Sequence, residues 1–350
     1  MNTMPRVSII VLNWNGWKDT IECLESLFQI TYPNYNIIIV DNASSDDSII
    51  KIRNYCKGNQ SVSSDFFDHS LVNKPVTLLE YDIEDLIDPH NFDPNYVCLP
   101  SNKRLFLIHN SKNDGFAEGN NIGIRFALES LKTDYILLLN NDTVVSPFFL
   151  DELIKVGETM NNVGVLSPYI YYYSDPEDIW FNKGTIQWLR SKIASHANVH
   201  GDFDYLYCDF ISGCALLIKQ EVLLEVGLLN STYFLYFEDV EFSARIKKFG
   251  YDLVTVRKSK IYHKVSRTTN RLFKVNSVYY MHRNRIWFTI KYCPKSLLFI
   301  ALANTFVRAI CAFCYYETVR AHPCALAAMR GLRDGICLRK FLPHRNRNDI

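Results

Sequence analysis

Apolar residues along this chain come in short runs, each closed by polar ones. Val7-Ser-Ile-Ile-Val-Leu12 gives way to Asn13-Trp14-Asn15-Gly16, and Asn36-Ile-Ile-Ile-Val40 to Asp41-Asn42. Runs that are apolar at successive positions are the pattern of strands buried on both faces. Between them Ile21, Leu24, Leu27 and Phe28 recur at helical spacing after Asp19 or Thr20, either of which can cap a helix, and Pro33-Asn34 ends the segment. Ser44-Ser45-Asp46 opens a second helix through Lys57. Short strand and helix units in alternation predict a parallel sheet with right-handed crossovers.

Residues 58–104 break this rhythm, with eight acids, three bases and little periodicity. They read as an insertion, partly a loop excursion. Leu105-Phe-Leu-Ile108 resumes the sheet. Asn113-Asp-Gly-Phe-Ala-Glu-Gly-Asn-Asn121 opens a helix to Leu131, and residues 135–139 form a further buried strand that ends in Asn140-Asn141-Asp142. A helix is expected from Pro147 to Met160 and a short strand over Val163–Leu166. Strands and turns rich in Tyr and Trp fill 168–208. A strand is expected over Asp209–Ile218, a helix over Gln220–Val226 stopped by Gly227, and a helix from Glu238-Asp239-Val-Glu241 to Gly250. Tyr251–Val256 is a strand, with His263 after it. From Asn276 the pattern is helical, and Ser296–Tyr316 is a 21-residue run interrupted only by Asn304 and Arg308. That length suits a bilayer, but an Arg inside it is costly. An interfacial or re-entrant helix is expected over a true span, with a buried helix as the alternative.

Charge adds a division that periodicity does not show. The net charge is +1, yet residues 257–350 carry 19 of the 38 Lys and Arg and only three acids, Glu317, Asp334 and Asp349. Such an end suits an anionic membrane surface or a phosphate-bearing ligand. The Tyr, Arg and Trp interleaved through Tyr279–Trp287 favour a membrane interface over nucleic acid. The ten Cys lack metal-site spacing, and the Cys311–Cys314 pair lies in an apolar helical pattern, which argues against zinc or redox chemistry. Met1 to Arg6 carries no signal-peptide pattern, so chemistry in a reducing, cytosolic setting is expected.

Candidate chemistry sits at the strand ends, where open α/β sheets bind ligands. Alone, Asn140-Asn141-Asp142 is better read as a polar turn. In company it changes meaning. Val7–Gly16, Ile39–Asp46, Asn113–Asn121, Leu137–Asp142 and Phe237-Glu238-Asp239 fall in order, each at a strand end or helix start. In these landmarks the chain resembles the family 2 glycosyltransferases of the GT-A fold, especially the rhamnosyltransferase-like branch, over roughly residues 5–265 apart from 58–104. The resemblance implies an α/β, Rossmann-like, mixed and mainly parallel sheet flanked by helices. It divides the chain into a catalytic domain, 1–265, and a basic, apolar helical region, 266–350, expected at the cytoplasmic face of a membrane.

What the resemblance implies for single residues can be matched to their chemistry. Asn13 can hydrogen-bond a nucleobase, with Trp14 packing or stacking beside it. Asp41 can accept from a base N–H or a ribose hydroxyl, or instead cap a helix with Ser44. Gly115 and Gly119 permit close backbone approach, Asn113 and Asn120 supply donors, and the helix start favours an anion, so this segment is expected over the ribose and diphosphate. Asn141 belongs to the same donor-binding set. Asp142 matches the last acid of the family's Asp-x-Asp motif and is the expected ligand of a divalent cation, Mg2+ or Mn2+, shared with the diphosphate. Asn140 replaces the first acid, leaving one carboxylate, and His263 is a second candidate ligand. Asp239 is the expected general base, with Glu238 the alternative; otherwise Asp239 only favours its helix N-terminus, with Glu238 and Glu241 as solvated neighbours. Trp180 and Gly184 fall where relatives shape the sugar or acceptor pocket, although core packing suits Trp180 better.

The expected reaction is inverting, metal-dependent transfer of a sugar from a nucleotide donor, dTDP-rhamnose or a UDP-sugar, to a glycan or lipid-linked glycan. An oligomer is compatible with the sequence. A nucleotidyltransferase, an oxidoreductase or a non-catalytic relative are the competing classes. The glycines are not on the first βα turn, where a dinucleotide fingerprint belongs.

Overall fold

Strands form where the apolar runs predict them, and their ends fall where the polar residues begin. The computed structural model describes residues 4–87, 94–196, 203–265 and 271–337. The first half runs β1 (Val7–Asn13), α1 (Trp17–Leu27), β2 (Tyr35–Asn42), α2 (Ser48–Cys56), β3 (Thr77–Asp82), β4 (Arg104–Asn110), α3 (Gly115–Ser130), β5 (Tyr135–Asn140), β6 (Thr143–Val145) and α4 (Phe149–Thr159). It continues with β7 (Val163–Tyr172), β8 (Asp175–Phe181), β9 (Lys183–Gln187), β10 (Lys192–His196), β11 (Tyr205–Tyr207), β12 (Ala215–Lys219), α5 (Gln220–Val226), α6 (Glu238–Lys248) and β13 (Asp252–His263). Three helices close it: α7 (Arg271–Tyr292), α8 (Leu298–Thr318) and α9 (His322–Cys337).

The main sheet has the order β11-β13-β7-β12-β5-β1-β2-β4-β3, with β6 on β13 and β8 on β7. The pairs β1–β2, β1–β5, β2–β4 and β3–β4 are parallel, whereas β12 is antiparallel to both β5 and β7. Strand order reverses at β1, which puts the switch point beside the ends of β1 and β5. There Asn13 pairs in register with Asp41, and Leu12 with Asn140.

Strand alternation divides the core between the two faces. Ile9, Val11, Ile37, Ile39, Leu137 and Leu139 join one cluster, and Ile10, Ile38, Val40, Ile136 and Leu138 the other. Gly119 and Gly123 let α3 press onto the second face: a Cβ would stand 2.6 Å from Leu12 Cδ1 at Gly119 and 2.7 Å from Ile10 Cγ2 at Gly123.

Four expectations change. The 58–104 segment, expected as an insertion and partly a loop excursion, also joins the sheet through β3, an edge strand parallel to β4. Its loop is tied down by Glu25, which is fully buried on α1 and accepts from Tyr55 OH (2.6 Å), Ser70 N (3.0 Å) and Lys74 Nζ (3.1 Å). The strand expected over Asp209–Ile218 begins only at Ala215, and residues 209–214 form a loop. The final strand does not stop at Val256: it passes an irregularity between Val256 and Lys260 and ends at His263. Finally, packing does not break at residue 265. Trp287 and Phe288 of α7 belong to the first core cluster, and Phe288 stacks on Trp188.

Candidate active site

The end of β1 and the end of β2 are joined by side chains. Asn13 is buried; its Nδ2 donates to Asp41 Oδ1 (2.6 Å) and Ser44 Oγ (3.0 Å), and its Oδ1 accepts from Thr20 Oγ1 (2.7 Å). Asp41 also accepts from Ser44 N (3.0 Å) and Ser44 Oγ (2.6 Å), so it closes a local turn and caps no helix, the next one starting at Ser48. Trp14 is exposed beside this pair.

A second amide network floors the 110–115 segment. Asn42, given no role of its own in the sequence, donates to Asn113 Oδ1 (3.0 Å) and Gly115 O (3.2 Å) and accepts from Asn110 Nδ2 (2.9 Å) and Asp114 N (3.2 Å). Gly115 has φ +80°, and a Cβ there would collide with the Phe234 carbonyl, which already accepts from Phe116 N at 2.8 Å. The glycine therefore serves the approach of the 231–237 loop, and Gly119 serves helix-to-sheet packing. The donor expected from Asn120 is turned inward, to Phe116 O at 2.9 Å. The amide of Asn141 likewise goes to Thr20 Oγ1 (2.9 Å), bracing the β5–β6 turn against α1.

Asp142 and His263 meet. Asp142 Oδ1 lies 3.1 Å from His263 Nε2, both residues are buried, and Lys264 N donates to the Asp142 carbonyl at 2.9 Å. The pairing of β13 with β6 sets Thr143 opposite His263 and fixes this approach. The edge of Trp180 packs on the imidazole, ring centroids 4.7 Å apart. His263 Nδ1 is buried without a hydrogen bond of good geometry, and Cys214 lies beside the ring. Burial disfavours the imidazolium, but Cys214 and Asp142 outweigh it and hold the His263 pKa above its ordinary value.

The second acidic centre is built on strained backbone. Tyr236 and Phe237, neither of them glycine, have φ of 67° and 72°, a left-handed pair that places Glu238 and Asp239 at the first turn of α6. Asn284 of α7 holds that turn: fully buried, it donates to Leu235 O (2.9 Å) and Tyr236 O (2.7 Å). Asp239 accepts from Gly213 N (2.8 Å) and Val240 N (2.8 Å). Burial raises its pKa, and those two N–H groups oppose the rise. Glu238 is buried with Oε2 unpartnered, and burial together with the adjacent Asp239 pushes its pKa well above the ordinary value.

Glu241 is not a solvated neighbour. It is fully buried and accepts from Arg245 Nη2 (3.2 Å), Lys291 Nζ (2.8 Å) and Tyr292 OH (2.5 Å), fastening α6 to α7. Burial would raise its pKa, but Arg245 and Lys291 hold it below the ordinary value.

The turn Ser212–Cys214 links the two centres. Gly213 N binds Asp239, while Cys214 lies by His263 and its carbonyl accepts from Asn140 N at 2.9 Å. Sequence reasoning missed Gly213, Asn284 and Asn42; a glycine inside an apolar run is the only local sign of the first. Gly184 approaches the Phe210 carbonyl too closely for a Cβ, behind the same loop.

Comparison with known proteins places these features. A model described as "Glycosyl transferase family 2" matches residues 8–67, and one described as "Glycosyl transferase family group 2" matches residues 135–328. The chain is 26% identical over 202 residues to a Haloferax volcanii protein named low-salt glycan biosynthesis hexosyltransferase Agl10, covering 56% of this chain and 64% of that protein. It is 22% identical over 237 residues to the glycosyltransferase GlyG of Streptococcus pneumoniae, covering 65% and 61%. The chain thus spans less than two thirds of either relative. Among solved structures, a mannosyltransferase from Pyrobaculum calidifontis, in complex with GDP-Man and Mn2+, superposes with a TM-score of 0.56 at 13% identity over 97% of this chain and 89% of that one. The structure of GalNAc-T7 with UDP, GalNAc and Mn2+ superposes with a TM-score of 0.52 at 14% identity over 87% and 55%.

Proposed function

The chain belongs to glycosyl transferase family group 2 and has the GT-A fold, and from that premise we propose that it transfers a sugar from a nucleotide-diphosphate donor to a glycan hydroxyl with inversion. One observation carries the reading. The turn Ser212–Cys214 reaches both acidic centres, since Gly213 N donates to Asp239 and Cys214 lies beside His263, and this supports a reading in which a metal–diphosphate corner and a base share one site.

With His263 neutral, the donor pair Asp142 and His263 fits a divalent cation, since a carboxylate oxygen and an imidazole nitrogen 3.1 Å apart suit Mn2+ and, less well, Mg2+. Among the described residues no group of three His, Cys, Asp or Glu could hold an ion. Binding therefore depends on oxygens brought by the nucleotide. When bound, the cation would offset charge on the leaving diphosphate. The chain's own residues do the rest. The Asn13–Asp41 corner orders the nucleoside end, and the Asn42–Asn113–Gly115 network shapes the loop above it. Asp239, at the helix start, takes the proton of the acceptor hydroxyl. The freed oxygen attacks the anomeric carbon opposite the diphosphate, whose C–O bond breaks, so the centre inverts without a covalent enzyme intermediate.

The name of the Haloferax relative supports a hexose and a glycan product. The outer face of α8 supports action at a membrane surface. Phe299, Ile300, Phe306, Val307, Ile310 and Tyr315 are exposed, while small Ala301, Thr305 and Ala309 pack inward. By length and composition this helix could also cross a membrane. The test is a thermal-shift screen of UDP-, dTDP- and GDP-sugars, dTDP-rhamnose included, with Mn2+ or Mg2+. A stabilising response that needs the metal and is lost in Asp142→Asn is expected. Asp239→Asn should keep that response and lose transfer. No response to any nucleotide refutes the proposal, and full turnover by Asp239→Asn moves the base elsewhere.

A further inference from the structure

One cluster of charge lies outside this machinery. Residues 188–191 turn beneath α8, and three side chains donate to successive carbonyls there. Asn304 Nδ2 donates to Leu189 O at 2.7 Å, Arg308 Nη2 to Arg190 O at 3.1 Å, and Arg285 Nη1 to Ser191 O at 2.9 Å. Ser191 Oγ donates to Ala301 O at 2.5 Å, which seats the helix on the turn. Guanidinium groups from α7 and α8 are thereby held on neighbouring carbonyls, with the exposed side chains of Arg190 and Lys192 at the same turn. Among the described residues no carboxylate pairs with Arg190, Lys192, Arg285 or Arg308.

Like charges gathered without a counter-ion are unfavourable until an anion joins them. Burial, and then Arg308, lowers the Arg285 pKa to about 10. The cluster has two neighbours. On one side Arg285 lies 5.3 Å from the ring centroid of Phe237, the residue just before Glu238-Asp239. On the other is the exposed apolar stripe of α8, from Phe299 through Phe306 and Val307 to Ile310.

We propose that Arg190, Arg285 and Arg308 form the subsite for the diphosphate of a lipid-linked acceptor, its lipid chain lying along the outer face of α8. The inference rests on the transferase reading above and specifies its acceptor. Guanidinium forks match phosphate oxygens in pairs. A soluble anion would gain nothing from the apolar stripe, and a neutral lipid nothing from the arginines; a lipid diphosphate uses both. Because the cluster touches the residue before the acidic pair, the hydroxyl reaching Asp239 belongs near the diphosphate. The acceptor is therefore a short lipid-diphosphate saccharide and not the far end of a long polymer.

The test is flotation of the full chain with phosphatidylcholine vesicles carrying a polyisoprenyl diphosphate or, at matched charge, phosphatidylglycerol. Tighter binding to the diphosphate vesicles is expected. The double substitution Arg190→Gln with Arg308→Gln, at two exposed positions, should weaken it roughly thirtyfold and abolish the preference, at about 1 kcal/mol of surface attraction per arginine. The nucleotide thermal shift should persist. Equal binding to both charged vesicles, a preference that survives the double substitution, or self-association that buries α8 would each overturn the inference. A chain that answers nucleotide but ignores the lipid diphosphate refutes this inference alone; one that ignores nucleotide refutes the transferase reading on which it stands.

Discussion

Replacing Asn284 should separate catalysis from folding. Its amide donates to Leu235 O and Tyr236 O at 2.9 and 2.7 Å, both partly buried, and its Oδ1 accepts from Arg283 Nε at 2.8 Å in the interior. These bonds hold Tyr236 and Phe237 left-handed, a conformation that costs about 1–2 kcal/mol per non-glycine residue and so about 2–4 kcal/mol for the pair. In Asn284→Ala two carbonyls lose their donor, at about 1–3 kcal/mol each if they stay buried. The turn then has a cheaper course: it relaxes, recovers its strain and exposes those carbonyls to water. The net loss of global stability should be only about 1–2 kcal/mol, because the released strain offsets most of the lost bonding. Asp239 is the second residue of the helix that follows this turn, and a displacement of about 1 Å in a reacting group can cost about a hundredfold in rate. A KM-against-kcat comparison on the transfer reaction, with the nucleotide thermal shift alongside, reads the two effects. The expected result is kcat down by about two orders of magnitude, with donor KM and nucleotide response unchanged. A wild-type kcat would show that the turn needs no holding. A parallel collapse of donor binding would show that the change spread through the fold.

Other substitutions probe the remaining parts of the site. Glu238 has a folded pKa well above its ordinary 4.5, so the folded state binds its proton more tightly than the unfolded one. Its stability contribution is greatest below that ordinary value and is lost as pH rises from there toward the folded pKa. Glu238→Gln should therefore raise the melting temperature at neutral pH and lose that advantage on acidification; an advantage that grows toward low pH would refute the assignment. Glu241 is the opposite case, with a lowered pKa and three donors, and its stabilisation is lost as pH falls from its ordinary 4.5 through the folded pKa. Glu241→Ala should cost about 3 kcal/mol in denaturant unfolding at neutral pH, and a loss under about 1 kcal/mol would mean that α7 is held by apolar packing alone. Gly115→Ala meets both φ +80° and the Phe234 carbonyl, so it should cost at least about 2 kcal/mol and slow transfer; an unchanged melting curve would show that the 231–237 loop is free to move.

How far the site could be read from sequence depended on where its information is written. β1, β2 and β5 are continuous apolar runs, so their limits and the polar residues closing them were legible. β3 was not, because Thr77-Leu-Leu-Glu-Tyr-Asp82 is an edge strand with no fully buried residue, in an acidic stretch. The far half of β13 was hidden by Arg257, Lys258 and Lys260 around its irregularity. The loop before β12 reads as strand in the sequence because Phe210, Ile211 and Cys214 are all apolar, and all are buried whatever the backbone does.

In sequence, the charge of the basic C-terminal segment reads as surface chemistry. Part of that charge is structural: Arg283 is buried, donates to Thr232 O at 2.9 Å and lies 4.2 Å from the Trp287 ring centroid. Asn284, its neighbour, sets the course of the 231–237 loop. The motif residues at strand ends are recognisable because a side chain of fixed type must stand there. Gly213, Asn284 and the Phe234 carbonyl act on or through main-chain atoms 26 to 118 residues distant in sequence, so no local pattern marks them. Rate losses in this enzyme should consequently be as severe at such supporting positions as at the acids, while leaving nucleotide binding intact.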